Sequence, residues 1–425
     1  MKSETLKFGD IAHLRKDTIN PKKIDQSIYL GLEHINKDSL SLNSTGSSNS
    51  LESNKFIFSA GDILFGKLRP YFRKVYKPDF DGICSTDIWV IQPKDEDICR
   101  DFLFYVMADQ RFINFANQGA TGTRMPRANW DHVANYQVNK ISFNEQRQIS
   151  EILRSLDDKI KLNQKINETL EEIAKTLFKS WFIDFDPVRA KAEGRPTGLS
   201  KEISDLFPDS FEVSELGEIP KGWKESKIKD FCISIQKGIS PKYTENQSYP
   251  VINQKCIRNL EINFDLCKFT EYKKIIEGRY LENFDILLNS MGVGTLGRSA
   301  LFIEHKTKAV VDGCISVIRG KDKVHGLYVY QSISRREDEI INLSQGSTGQ
   351  TTLKTEDIGN LKLVKPNNQV IELFYKLVAD LYKKKYTNSQ EIKVLTNLRD
   401  TLLPKLISGE LKIPDAENLV EEAGI

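Results

Sequence analysis

Apolar residues recur every three or four positions through Phe143–Phe182, a stretch without Gly or Pro. Ile149, Leu156, Leu170 and Leu177 fall on one heptad seam, and Ile152, Ile166 and Ile173 on the other. The pattern predicts one long amphipathic helix. Asn163 lies on the seam itself, where a polar residue gives up stability to fix register. A second stretch, 367–411, places Phe374, Leu381, Leu395 and Leu402 on one seam, Leu377 and Leu398 on the other, and Asn388 as its polar exception. Since 388 − 163 = 225, and Leu156/Leu381, Leu170/Leu395 and Leu177/Leu402 share that offset, the two helices read as copies of one element. Were the two copies to pack antiparallel about a pseudo-twofold axis, equivalent residues would meet only at that axis, and the side chains of Asn163 and Asn388 would then be expected to be neighbours.

Outside the helices the period changes. Up to about residue 140, "SIYLGLEHI", "DILFGKLRPYF" and "STDIWVIQP" read as strands, "NSTGSSNS" as a surface loop and "RDFLFYVMADQRFINFA" as a helix. "NQGATGTRMPRANWDHV" reads as an exposed polar loop, with Gly119 and Gly122 flanking Thr121 and with Arg124 and Arg127 beyond. Residues 183–220 mix Pro, Gly and charge without sustained periodicity and read as a surface linker. The block that follows repeats the order of the first. "FGDI" answers to "IKDF", Asp62-Ile63-Leu64 to Asp285-Ile286-Leu287 (285 − 62 = 223), and "QGATG" to "QGSTG", which matches Thr121 with Thr348 and Gly122 with Gly349. The expected organisation is a globular domain over 1–142, a long helix over 143–182, a linker over 183–220, a second globular domain over 221–366, a long helix over 367–413 and a tail over 414–425.

A chain of 425 residues is too long for one core, and two halves suit it. Lys+Arg 61 against Asp+Glu 59 leaves a net charge of +2, so any surface for nucleic acid must be local. The start, "MKSETLKFGD", lacks the apolar core of a signal peptide, and no stretch approaches the ~18 apolar residues of a membrane helix; a cytoplasmic protein is expected. The six Cys form no C-x-x-C pair and the five His are scattered, which favours reduced thiols over disulfides or zinc.

A shared frame with changed polar loops suggests one task performed on two targets. In the first half, "GKLRPYFRK" offers Lys67, Arg69, Tyr71, Arg73 and Lys74, a basic and aromatic mix suited to phosphates and base edges. In the second, "INQKCIRN" and "LLNSMGVGTLGRS" offer Asn253, Gln254, Lys255, Arg258, Asn289, Ser290 and Arg298; Asn and Gln can pair bidentately with adenine, and Arg with guanine. Thr121, Gly122, Thr348 and Gly349 would shape loops near the nucleic acid. The bland alternative is a solvated surface on a duplicated coiled-coil scaffold.

Three motifs imitate other chemistry. Gly292-Val293-Gly294-Thr295-Leu296-Gly297 fits G-x-G-x-x-G, yet "RSALFIEH" after it reads as a strand, so a hairpin turn is expected in place of a nucleotide loop. Pro208-Asp209 with Glu225-Ser226-Lys227 mimics a nuclease pattern, but its members lie in the linker and at a domain entry. An adenine methyltransferase would carry an (Asn/Asp)-Pro-Pro-(Tyr/Phe) motif for the flipped base, and the chain has no Pro-Pro.

With these segments the chain resembles the specificity (S) subunits of type I restriction-modification systems. The resemblance rests on "EQRQISEILRSLDDKIKLNQKINETLEEIAKTLFKSWFIDFDPV", "LRDTLLPKLISGEL", "YLGLEHI", "GDILFGKLRPYFRK" and "LGEIPKGW". It implies an α+β chain with two target-recognition domains separated by two long antiparallel coiled-coil helices, related by an internal pseudo-twofold repeat. It implies a non-catalytic reader of double-stranded DNA with a bipartite site, bound to two methyltransferase (M) subunits and to restriction (R) subunits, with no membrane partner. S-adenosylmethionine, ATP and Mg would belong to those partners, leaving no cofactor or metal in this chain. A helix of about 37 residues spans roughly 55 Å, enough to hold two readers over major-groove faces that recur about every 34 Å.

Overall fold

The computed structural model describes residues 4–422 and 424, other than 25, 247, 272–277, 304–306 and 345–351. They form two compact units, Met1–Gln164 with Ser389–Ile425, and Lys165–Asn388. The boundary therefore falls inside both long helices, Phe143–Phe182 and Asn368–Ile407, and each helix gives part of its length to each unit.

In the first unit a four-stranded antiparallel sheet has the order Ala12–Arg15, Ile88–Pro93, Ile63–Gly66, Val75–Tyr76. Side chains alternate across a strand. Ile63, Phe65, Trp89 and Ile91 thus pack with the helices Arg100–Ala108 and Gln110–Gln118. Leu64, Ile88 and Val90 face the opposite way, into a cluster with Leu30, Phe58 and Cys84 of a five-stranded sheet. Burial on both faces explains why "ILF" and "IWVI" are continuously apolar. The run expected as one helix is two, broken at Asp109: its backbone is extended (φ −65°, ψ 132°), and its carboxylate accepts the Arg111 N–H at 2.8 Å as the cap of the second helix.

The second unit repeats this plan. Its four-stranded sheet has the order Cys232–Lys237, Ile315–Gly320, Ile286–Asn289, Ser299–Leu301, so central strands correspond at 286 − 63 = 223 and 315 − 88 = 227. A second large sheet in each unit contains a parallel pair, Ile28–Leu30 with Gly82–Cys84 and Tyr249–Ile252 with Val310–Val311. The long helices begin and end at the same offset, 368 − 143 = 225 and 407 − 182 = 225. The segment read as a linker is anchored in the second unit's core. It forms the helix Asp186–Ala192 and a hairpin, Phe211–Ser214 with Gly217–Pro220, and buries Phe185, Val188, Phe207 and Ile219 beside Trp181 and Trp223. Its elements are too short for periodicity to reveal.

The first long helix starts on a capping box. The Glu145 carboxylate accepts the Ser142 N–H at 2.9 Å and its hydroxyl at 2.7 Å, while the Ser142 Oγ accepts the Glu145 N–H at 3.3 Å. Ser142→Ala is expected to cost about 1 kcal/mol, read as a lower midpoint in urea with an unchanged slope. The same offset of 225 leads to Asn367, whose Oδ1 accepts the Val370 N–H at 2.9 Å.

Along the first helix the buried stripe runs Leu156, Ile160, Asn163, Asn167, Glu171, Ala174, Phe178, Phe182. Its 3-4-4 spacing repeats every 11 residues (171 − 160 = 11, 182 − 171 = 11), closer to the natural 3.6 period of a straight helix than a heptad is. The predicted seam residues Ile173 and Leu377 are consequently exposed, at 48% and 44%. In the second unit the Asn388 Nδ2 donates to the Asn167 Oδ1 at 3.0 Å, a buried polar pair on the stripe.

Each unit also ties its helices to its globular part through a buried polar lock. In the first, Arg399, only 1% exposed, donates to Asp157 at 2.7 Å, and Tyr105 donates to the other oxygen of Asp157 at 2.8 Å. Arg399 and Arg73 share Asp400, at 3.1 and 2.9 Å. In the second, Gln331 donates to the Tyr382 hydroxyl at 2.6 Å, Tyr382 donates to Glu171 at 3.2 Å, and Lys385 pairs with Glu171 at 3.0 Å. Burial pushes the Asp400 carboxyl up, but Arg73 and Arg399 outweigh it and hold it below its ordinary 3.8. A depressed carboxylate contributes stability above its unfolded pKa and loses it as pH falls through the folded one. Acid melts below pH 3.8 should therefore show a loss that Asp400→Asn removes. Among the described residues no helix is long and apolar enough to cross a membrane.

Candidate nucleic-acid interface

Two segments of the first unit, far apart in sequence, are stitched together by backbone hydrogen bonds. Lys67 N–H donates to the Asp87 carbonyl at 2.9 Å, Ala128 N–H to the Lys67 carbonyl at 2.9 Å, and Arg69 N–H to the Pro126 carbonyl at 2.7 Å. Thr121 and Arg127 close the loop between them with two reciprocal bonds of 2.9 Å. Lys67, Arg69 and Tyr71 thereby share a rim with Thr121, Gly122, Arg124 and Arg127. Tyr71 is 44% exposed, and the loop tip Met125, which the sequence did not single out, is 49% exposed. Gly122, at φ 101°, occupies backbone that a side chain would strain.

The cations of this rim are not equivalent. Arg127 is held by both oxygens of Asp87, at 2.9 and 3.3 Å, and this pairing raises its pKa further. Arg124 is exposed. Arg69 is half-buried in left-handed backbone (φ 52°), and its Nε has no partner. Such a conformation costs a non-glycine residue on the order of 1 kcal/mol or more. Arg73 does not belong here: it is buried, it donates to the Ala108 carbonyl at 2.7 Å, and it serves the Asp400 lock. Lys74 turns inward to the Leu32 carbonyl, and burial lowers its pKa.

The second unit repeats the stitching. Ser290 N–H donates to the Cys314 carbonyl and Leu353 N–H to the Ser290 carbonyl, both at 2.9 Å, and Met291 bridges Thr352. Ser290 thus answers to Lys67, Cys314 to Asp87 and Leu353 to Ala128, but the side chains differ in fate. Ser290 is buried with its hydroxyl 2.5 Å from that of Ser316. Asn289 is also fully buried: its Nδ2 donates to the carbonyls of Gln254 (3.1 Å) and Thr295 (3.0 Å) and so pins two loops together. Both were expected as contacts and are internal braces, because Asn289 ends a strand covered on both faces and Ser290 follows it into the interior. Asn253 caps its own turn, accepting the Lys255 N–H at 3.0 Å. Lys255 and Arg258 are exposed, Gln254 and Arg298 half-buried, and Arg298 donates to the Gly294 carbonyl at 2.7 Å. Thr348 and Gly349 lie outside the described residues.

The glycine motif is a hairpin turn between the strands Ile286–Asn289 and Ser299–Leu301, with Gly292, Gly294 and Gly297 all at positive φ. Gly292 stands where the first unit has Arg69 (292 − 69 = 223), and a Cβ there would come within 2.7 Å of the Thr295 hydroxyl and 3.0 Å of the Gln254 amide nitrogen. Gly292→Ala is expected to cost about 1–3 kcal/mol, read as a lower thermal midpoint.

Residues 2–172 match the family model of the type I restriction modification DNA specificity domain. The HindI type I restriction enzyme specificity subunit of Haemophilus influenzae is 28% identical over 402 residues, covering 83% of this chain and 86% of that protein. The MjaIX specificity subunit of Methanocaldococcus jannaschii is 28% identical over 331 residues, 76% of this chain and 72% of that one. The crystal structure of the S subunit of a type I restriction-modification system from M. genitalium superposes with a TM-score of 0.56 at 14% identity, over 95% of this chain and 96% of that one; the fold is shared.

Proposed function

We propose that the chain, which is similar along most of its length to type I restriction-modification specificity subunits, is the DNA-reading subunit of such an enzyme, each unit reading one half of a bipartite target. The observation that carries this is the repeated frame with unlike surfaces. Strand order, parallel pair and backbone stitching recur, while the rim of the first unit is Lys67, Arg69, Tyr71, Arg124 and Arg127 and that of the second is Gln254, Lys255, Arg258 and Arg298. Arg can pair with the O6 and N7 of guanine and Gln with the N6 and N7 of adenine; the remaining cations would neutralise phosphates and set orientation. The chain itself catalyses nothing. Methyltransferase subunits, two per chain, would bring S-adenosylmethionine and the adenine chemistry, and restriction subunits would bring ATP- and Mg-dependent cleavage.

Methylation mapping of host DNA with and without this protein tests the reading. The expected result is adenine methylation at a two-part motif with an unread spacer, absent in the deletion strain. Unchanged methylation would refute it. A complex that assembles with its methyltransferase but shifts no DNA in a gel would favour the scaffold reading instead.

A further inference from the structure

The Sγ atoms of Cys256 and Cys267 lie 3.8 Å apart in the second unit. The residues between them include an antiparallel hairpin, Ile257–Arg258 with Glu261–Ile262, turned through Asn259 and Leu260, both at positive φ (52° and 61°). The sulfurs therefore sit at the neck of a loop. The loop is tied to the neighbouring turn at the same place: the Asn253 N–H donates to the Cys256 Sγ at 3.4 Å, the Asn253 Nδ2 to the Leu266 carbonyl at 3.4 Å, and the Asn263 N–H to the Cys256 carbonyl at 2.8 Å. Gln254, Lys255 and Arg258 hang from this neck. Cys256 is buried and Cys267 half-buried, so a reagent meets Cys267 first.

We propose that Cys256 and Cys267 form a dithiol modification site, closed to a disulfide by exchange with low-molecular-weight disulfides, that alters reading by the second unit. In the first step the Cys267 thiolate attacks one sulfur of R–S–S–R, forming a mixed disulfide and releasing RS⁻. In the second the Cys256 thiolate attacks the Cys267 Sγ and expels the other RS⁻. The two protons given up by the cysteines are taken by the two RS⁻, so the protein dithiol is oxidised by two electrons and R–S–S–R is reduced to two RSH. In the dithiol the Cys267 thiol donates to Cys256 and, with the Asn253 N–H and against burial, holds Cys256 below the usual thiol range, while that donation and burial push the Cys267 thiol up, which makes the first exchange the slow one. Once Cys267 carries the RS group, the Asn253 N–H stays in place to favour the Cys256 thiolate that closes the bond. Closure draws the sulfurs from 3.8 Å to about 2.05 Å. That movement takes Cys256 from beneath the Asn253 amide and reshapes the turn carrying Gln254 and Lys255. The consequence for DNA rests on the proposed function; the disulfide does not.

The test treats the full chain, in complex with its methyltransferase partner, with reduced or oxidised glutathione. Peptides are mapped by mass, and binding is measured to duplexes with both half-sites intact or with the second scrambled. Oxidation should yield a linked Cys256–Cys267 peptide and lower affinity for the intact site about tenfold, the worth of one base contact. The scrambled duplex should show no change, and the half-buried Cys267→Ser variant should be indifferent to oxidation. Separate glutathione adducts without a link, a link that leaves affinity unchanged, or a Cys267→Ser variant as sensitive as the parent would each overturn the proposal. A reduced complex that binds no DNA, while the linked peptide still forms, would point to failure of the functional reading and remove the switch with it.

Discussion

Replacing Arg69, Arg124 and Arg127 together by Ala should lower the affinity of the assembled complex for its target on the order of a hundredfold, at about 1 kcal/mol or more for each charge-assisted contact. The slope of log affinity against log salt should fall by ~0.9 for each of the three that neutralises a phosphate. The rim makes the single variants unequal. Arg127 already spends two donors on Asp87, and Arg127→Ala leaves that carboxylate facing the DNA, so it acts by added repulsion as much as by lost attraction. Asp87→Asn should have the opposite sign and tighten binding at low salt. Titrations at several salt concentrations check both; a triple variant with the parental slope would remove this rim from the interface.

Arg399→Ala should cost about 3–5 kcal/mol, the usual penalty for leaving a buried charge without its partner. Asp157, the partner, is only 8% exposed, and its second oxygen is already engaged by Tyr105. For a protein of this size the thermal midpoint should fall by roughly 10 °C. The double variant Arg399→Met with Asp157→Leu should recover much of the loss, because apolar residues of similar volume are commonly as stable as the ion pair they replace. Calorimetry of the single and double variants distinguishes a stranded charge from lost packing. A double variant no better than Arg399→Ala would mean that shape, not charge, holds this junction.

Much of the frame was legible because duplication writes the same constraints twice. The offsets of 223 and 225 picked out strands and helices that the structure pairs in the same order. The division of the long helices between the two units was not legible, since a continuous helix carries no local mark of where its partners change. The heptad template misassigned Ile173 and Leu377 for a related reason: over a helix this long, the drift between 3.5 and 3.6 residues per turn carries a position off the seam. At the rim, residue type alone could not separate Arg69 from Arg73, four positions away and buried against Asp400. Nor could it show that Asn289, at the end of a strand covered on both faces, and Ser290 just after it are buried. Exposure there depends on which carbonyl or carboxylate happens to face each side chain, and that is a tertiary fact.

The buried aspartate that precedes each central strand carries a further implication. Asp62 is met by Arg15 at 3.1 Å and Gln92 at 2.7 Å, whereas Asp285 is met by Arg319 at 2.8 and 2.7 Å. Strand pairing sets Arg15 opposite Val90 and Gln236 opposite Val317, so Gln236 stands where Arg15 does, and Arg319 where Gln92 does (319 − 92 = 227). Arginine and glutamine have traded places across the same strand pair. A chimera that moved only Cys232–Lys237 into the first half would leave Asp62 between two glutamines, and the reciprocal graft would crowd two arginines around Asp285. Viable hybrids of the two halves should therefore inherit these strands as an inseparable set.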